Sequence, residues 1–259
     1  MTAELYDSHA HFNNDTEDLQ RILANALECN VTRILATGGD DAANEGALAF
    51  RAIAGDNIRT ALGFEMDTAS ESNGLLIEKL RKLATAEKPQ AIGEIGLDFH
   101  YCSDEKTKAL QIELFRAQLA LAAELALPVS VHTRNADEET LTSLDAVSCG
   151  SVRLRGSIHC FTGSVEFGKK LLDRGFCLGI SGIVTFNKGE NVRDIARMCP
   201  EDRLLIETDA PFLAPVPYRG RRCESAFVVE TAKTVAGVRN CKYEEIAAIA
   251  FRNAAILFG

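Results

Sequence analysis

No apolar stretch in this 259-residue chain is long enough to cross a bilayer. The longest, 119–127 and 246–251, are short and interrupted, far below the roughly 20 residues that a spanning helix needs. The N-terminus lacks a basic region leading into an apolar run, and Asp7 and His9 arrive almost at once. It does not read as a signal peptide, so a cytoplasmic or other intracellular location without membrane partners is expected. No CxxC pair occurs either. The 8 cysteines, at positions 29, 102, 149, 160, 177, 199, 223 and 241, form no compact framework, which points to reduced, mostly structural thiols. Positive charge is scarce: 28 Lys plus Arg against 37 Asp plus Glu give a net charge of −9. That balance opposes broad electrostatic attachment to nucleic acid, so any such contact must be local. No linker, low-complexity tract, charge block or internal repeat divides the chain, and a single domain over 1–259 is expected.

What is present is an ordinary globular composition, 46% hydrophobic and 25% charged, at a length that suits one (β/α)8 barrel of about 250 residues. Eight β-rich runs recur, at 4–7, 33–37, 59–63, 90–95, 128–132, 156–159, 176–180 and 204–208. Helical patterns separate them. In 15–29, Leu19, Ile22, Leu23, Ala26 and Leu27 follow an amphipathic stripe behind Asp15 or Thr16 as a cap. In 104–125 a leucine-rich face runs until Pro128 stops it, and 164–174 ends at Gly175, suited to a helix C-terminus. Strand–helix alternation of this kind demands parallel pairing with right-handed crossovers, which predicts an α/β (β/α)8 TIM barrel with an open doubly wound sheet as the alternative.

The chain has 5 His, and four of them close predicted strands. His9 and His11 follow the first, His132 ends the fifth and His159 the sixth; Glu94 is placed near the end of the fourth, and Asp209 follows the eighth. In a barrel those ends converge on one face, where active sites are found. His9 and His11, two apart on extended chain, share a side and can reach one ion together. Glu94, in Gly93-Glu94-Ile95-Gly96-Leu97-Asp98, has small and apolar neighbours that make an unpaired carboxylate costly, and a carboxylate bridging two ions would remove that cost. Ions about 3.5 to 4 Å apart can share a hydroxide nucleophile. Asp209, before Ala210-Pro211, is assigned as a ligand that also takes a proton from the attacking water. Taken singly, each has a blander reading: a salt-bridged Glu94, a turn-forming Asp209, ordinary histidines. His100 is left out of the ligand set, and Cys160 is expected to point away from the barrel mouth and pack.

These segments, Asp7-Ser8-His9-Ala10-His11, Gly93-Glu94-Ile95-Gly96-Leu97-Asp98, Val131-His132-Thr133-Arg134, His159-Cys160-Phe161-Thr162-Gly163 and Glu207-Thr208-Asp209-Ala210-Pro211, resemble the motifs of TatD-family metal-dependent hydrolases. Ser181-Gly182-Ile183-Val184-Thr185-Phe186 and the closing 253–259 extend the resemblance nearly end to end. It implies an amidohydrolase-type barrel, two divalent ions (Mg, Mn or Zn) and deoxyribonuclease activity of the 3′–5′ exonuclease type. The substrate it implies is DNA with single-stranded or frayed 3′ ends. By position, His9, His11, Glu94 and Asp209 would hold one ion, and Glu94, His132 and His159 the other.

Two segments depart from the family pattern. Where many members carry His-Pro-His after the third strand, this chain reads Gly63-Phe64-Glu65-Met66-Asp67, and a usual Asn-Glu-Pro late in the chain reads Cys223-Glu224-Ser225. Glu65 puts a carboxylate where an imidazole could meet substrate, and a carboxylate repels phosphate. Local positive charge comes from Arg134, Arg219 and Arg221, with Arg222 beside it; guanidinium groups can grip phosphate bidentately, although Arg221 and Arg222 read equally as a solvated loop. The competing function is a hydrolase of the same barrel type acting on a carbonyl substrate, an amide, lactone or aminoacyl ester. A metal-holding module without turnover is a third reading. No obligate protein partner is inferred.

Overall fold

Among the residues that the computed structural model describes, 3–100, 102, 104–148 and 153–259, strand and helix alternate throughout. The first half runs β1 (Leu5–Ala10), α1 (Thr16–Glu28), β2 (Val31–Gly39), α2 (Asp41–Ala54), β3 (Ile58–Phe64), α3 (Asn73–Glu87), β4 (Ala91–Asp98) and α4 (Glu105–Glu124). The second half runs β5 (Val129–Arg134), α5 (Asp137–Val147), β6 (Gly156–Ile158), α6 (Val165–Asp173), β7 (Cys177–Ile180), α7 (Glu190–Met198), β8 (Leu204–Ile206), α8 (Val228–Arg239) and α9 (Tyr243–Phe258). The predicted helices coincide with α1, α4 and α6. Asp15 caps α1 by accepting from the backbone N–H groups of Glu17 and Asp18, and Ser164 caps α6 by accepting from that of Phe167. Gly175, at φ 86°, ends the α6 turn as expected.

The strands pair in sequential order from β1 to β8, every neighbour parallel. The ring closes through the segment just past β8: Ala10 bridges Ala210 in parallel, Asp209 N–H donates to the His9 carbonyl at 3.0 Å, and His11 N–H donates to that of Ala210 at 2.7 Å. Sequential order plus closure makes this a (β/α)8 barrel and removes the open doubly wound alternative. Each of the eight predicted runs falls on a strand. The strands differ at their ends: β1 continues to Ala10 and so takes in His9, and β4 continues to Asp98, so Glu94 lies at mid-strand and not near its end. The β4–β5 ladder slips between Ile92 and Ile95, an irregularity of the kind that re-aims a side chain.

The core has two parts. The larger lies between the strands and the surrounding helices. The smaller gathers Tyr6, Leu35, Ala61, Ala91, Cys177 and Leu205, one from each of six strands, with Ala254, Leu257 and Phe258 of α9. Asn253 of α9 donates to the Glu201 and Leu204 carbonyls at the start of β8, and Arg59 near the start of β3 donates to the Gly259 carbonyl, so the end of α9 stoppers the bottom of the barrel and leaves the opposite mouth free for the site. The cysteines in the described residues are free thiols, as expected; Cys149 lies outside the described residues. No described helix is long and apolar enough to cross a membrane.

One close approach ties the fold to the site. A Cβ at Gly46 of α2 would stand 1.9 Å from the carbonyl oxygen of Phe12, the residue that follows His11. Gly46→Ala should therefore destabilise the protein by ~1–3 kcal/mol through overpacking, read as a lowered urea midpoint; an unchanged midpoint would contradict this packing.

Candidate active site

Six side chains predicted from the sequence meet at the barrel mouth. His9 is buried at the end of β1 and His11 lies one residue past it; Glu94 projects from the middle of β4 with only 4% exposure. His132 belongs to β5, His159 follows β6, and Asp209 sits in the closing segment at φ 59°. They form two triangles on one carboxylate. Glu94 Oε2 lies 3.3 Å from His9 Nε2 and 3.2 Å from His11 Nε2, and those nitrogens are 3.1 Å apart. Glu94 Oε1 lies 3.3 Å from His132 Nδ1 and 3.1 Å from His159 Nε2, which are 3.2 Å apart. Asp209 Oδ1 stands 4.0 and 3.8 Å from the His9 and His11 nitrogens of the first triangle. The His9 and His159 rings stack at 3.8 Å, so the triangles abut.

Each imidazole has a polar group behind its outer ring nitrogen. His11 Nδ1 faces the Thr37 carbonyl at 3.1 Å, His132 Nε2 faces the Asp98 carboxylate at 3.4 Å, and His159 Nδ1 faces that of Glu207 at 3.7 Å. With a cation held among the inner nitrogens, each inner nitrogen would turn a lone pair to it and each outer one would carry the proton toward its partner. His9 Nδ1 meets the Ser130 hydroxyl at 3.1 Å. Lone pairs converging on a carboxylate repel unless a cation stands between them. Ligand bonds of about 2.0–2.2 Å subtend edges of about 3–3.5 Å, the size of these triangles, so the donor set fits divalent metal. Protons are the alternative source of positive charge, and the acid–base balance reflects this. Burial opposes a charged His132, yet Asp98 and Glu94 raise it to about 10. His11 is raised to about 9 by Glu94 and Asp209 against the same burial. Burial would push Glu94 up, but the charge of His159 and bonds from three imidazoles hold it well below the usual carboxylate range.

The cavity over this cluster measures about 480 Å³ and is walled by Arg134, Cys160, Ile183, Phe212 and Leu213 among others. The family described as TatD related DNase matches residues 6–259 of the chain. The uncharacterized metal-dependent hydrolase YabD of Bacillus subtilis is 37% identical over 256 residues, covering 98% of each chain. This chain belongs to the TatD-related DNase family. With that membership goes the class of chemistry: it is a metal-dependent hydrolase. The 3′-5′ ssDNA/RNA exonuclease TatD of Erwinia amylovora is 34% identical over 249 residues, 94% of each chain. The crystal structure of the TatD homologue YjjV from Escherichia coli superposes with a TM-score of 0.88 at 25% identity, covering 100% of this chain and 99% of that one.

Not every residue singled out for substrate reaches the TatD-type cavity. Arg134 does, on its wall, 3.9 Å from Asp98. Arg219 is turned aside: its guanidinium lies 3.9 Å from the Phe186 ring centre and donates to the Ala214 carbonyl. Arg221 lies over Tyr218 and Arg222 pairs with Asp18 at 2.8 Å; neither lines this cavity. The cause is an aromatic or acidic partner nearer than the site. The altered Cys223-Glu224-Ser225 segment is anchored by Glu224, which accepts from Arg21 and Asn25 of α1. Cys160 corrects an expectation. A left-handed φ of 43° breaks the extended chain there, so the residue lines the cavity and its Sγ lies 3.1 Å from Ser181 Oγ. His100 stays on the loop, its N–H donating to Asp98.

Asp98 and Glu207 were assigned no role from the sequence. Asp98 was findable as the acid two residues before His100 that pairs in register with Arg134, two residues beyond His132; Glu207 was findable as an acid inside an apolar strand end. Glu207 is fully buried, and burial pushes its carboxyl well up. It accepts from the Cys160 N–H and the Ser8 hydroxyl while facing His159.

Removing the acceptor that orients His132, with Asp98→Ala, should weaken Zn²⁺ binding to metal-stripped protein by about 10–100-fold in a calorimetric titration; unchanged affinity would show that His132 does not depend on Asp98. Burial and the nearby charge of Glu94 push Glu65 up to about 7, with His11 opposing. The folded state then holds the Glu65 proton more tightly than the unfolded chain, so this group's contribution to stability falls as pH rises from about 4.5 to about 7. In metal-stripped protein, Glu65→Gln should gain more stability over wild type at about pH 8 than at about pH 5. Equal gains in urea titrations at both values would contradict the shift.

Proposed function

We propose that this chain is a deoxyribonuclease that hydrolyses phosphodiester bonds with two divalent ions, removing nucleotides from single-stranded or frayed 3′ ends. The observation that carries the reading is the pair of ligand triangles sharing the two oxygens of Glu94. His9, His11, Glu94 and Asp209 would hold one ion, and Glu94, His132 and His159 the other. Ions held there would supply Lewis acidity toward the phosphoryl group and make a neighbouring water more acidic. Imidazole-rich ligation suits Zn²⁺ or Mn²⁺, and phosphoryl transfer commonly works with Mg²⁺.

The chain's own groups divide the remaining work. Asp209 is buried, and burial raises its carboxyl against the opposing charges of His159 and His11. It accepts a proton from the attacking water more readily for that shift. Its backbone is pinned on both sides, by its N–H to His9 and by the Phe212 N–H to its carbonyl at 2.9 Å. Arg134, with a side chain 42% exposed on the cavity wall, grips a phosphate adjoining the scissile one. The relative named as a 3′-5′ ssDNA/RNA exonuclease supports nucleic acid as the substrate class. We assign the whole span 1–259 to one catalytic domain, and its free thiols suit the reducing interior of a cytoplasmic enzyme.

The test is hydrolysis of 5′- and 3′-labelled single-stranded and duplex DNA by metal-stripped protein given Mg²⁺, Mn²⁺ or Zn²⁺. Metal-dependent shortening from the 3′ end is expected. Glu94→Gln, which replaces one ligand oxygen by an amide nitrogen unable to ligate, should lose at least about 100-fold in kcat. Full activity and full metal content in Glu94→Gln would contradict the shared carboxylate. Turnover of small esters or amides with no cleavage of DNA would transfer the substrate to the carbonyl class.

A further inference from the structure

Beside the metal cavity lies a second opening of about 380 Å³, within the size range of small-molecule sites. Its walls include Phe12, Asp40, Pro211, Phe212 and Arg222. It shares His11, Glu65 and Phe212 with the metal cavity, so one ligand can extend from the first space into the second. Phe212 stands on the shared wall with 61% of its surface exposed, its ring 6.5 Å from that of His11 and inclined at 64°. A large exposed aromatic at the edge of a site that takes nucleic acid is a stacking platform for a base.

Charge decides which part of a strand can enter. Asp40 and Glu65 bring carboxylates to this groove, and the guanidinium on its wall, Arg222, is paired with Asp18. Such a lining disfavours a second phosphate and accepts hydrogen bonds from sugar hydroxyl or base N–H groups. A nucleoside inside a strand carries phosphate on both sides; a terminal one carries phosphate on one side only. With the scissile phosphate over Glu94 and Asp209, and Arg134 on the wall for the remaining strand, the acidic aromatic groove is left for the end of the chain.

We infer that this groove seats the 3′-terminal nucleoside, its base stacked on Phe212 and its free 3′-hydroxyl among the acidic groups. The inference rests on the nuclease reading above and adds to it the chemistry of the end that the enzyme accepts: a hydroxyl, not a phosphate.

The experiment compares 5′-labelled single-stranded oligonucleotides ending in 3′-hydroxyl or 3′-phosphate, with wild type, Phe212→Ala and Phe212→Tyr. Cleavage is followed with Mg²⁺ or Mn²⁺, and binding by fluorescence anisotropy in chelator, where cleavage cannot interfere. Wild type should cut the 3′-hydroxyl end at least about tenfold more efficiently than the 3′-phosphate end. Phe212→Ala should raise KM and weaken binding of the 3′-hydroxyl strand by about tenfold, and Phe212→Tyr, which keeps the ring, should retain both. Equal cleavage of the two ends, or unchanged KM and affinity in Phe212→Ala, would overturn the terminal-nucleoside groove while leaving the nuclease reading intact. No cleavage of any strand with any ion would overturn both.

Discussion

A carboxylate buried at the mouth of a barrel carries a desolvation cost of several kcal/mol unless each of its oxygens is matched by positive charge or by donors. Glu94 is in that position, and the arrangement around it answers that cost. Two imidazoles face each oxygen at 3.1 to 3.3 Å. His9 and His11 are hydrogen-bonded from behind by Ser130 and the Thr37 carbonyl, and the carboxylates of Asp98 and Glu207 face the outer nitrogens of His132 and His159 at 3.4 and 3.7 Å. Outer partners of this kind bias which nitrogen of an imidazole carries the proton, and with it whether a lone pair or a proton points inward.

The same interactions that complete the fold place the remaining acid. The barrel closes where the residues after β8 pair with the end of β1, and the closing bonds run through His9, His11, Asp209 and Ala210. Behind that seam, Asp7 accepts from the N–H and hydroxyl of Thr208, and the Ser8 hydroxyl donates to the Ile206 carbonyl. Asp209 is thus set against the first triangle by backbone bonds, independently of its own side chain. Barrel closure and site assembly are one event in this architecture, and α9 at the opposite end closes the bottom of the barrel without approaching the chemistry.

Much of the fold was legible because strand and helix have different periods and alternate regularly; Leu19, Ile22 and Ala26 mark α1 as plainly in sequence as they do in the core. Strand ends were less legible. Hydrophobic pattern stops marking a strand where its residues turn to chemistry, and Gly96-Leu97-Asp98 continues β4 under a composition that reads as a turn. Glu94 and the five residues that meet around it could be picked out because the barrel brings the ends of distant strands together. The arginines could not be sorted in the same way. Arg219 and Arg134 look equally suited to phosphate in sequence; the Phe186 ring that captures Arg219 lies 33 residues away in the chain and comes near it only in the fold. Cys160 was misread for a local reason, a left-handed backbone at a non-glycine residue, which sequence rarely signals.

Whether Glu94 is shared by two cation sites is read out by an anomalous-difference map at the manganese edge from crystals grown with Mn²⁺. Two peaks flanking the Glu94 carboxylate are expected, one among His9, His11 and Asp209 and the other between His132 and His159. A single peak, or peaks that leave either Glu94 oxygen without an ion, would contradict that sharing.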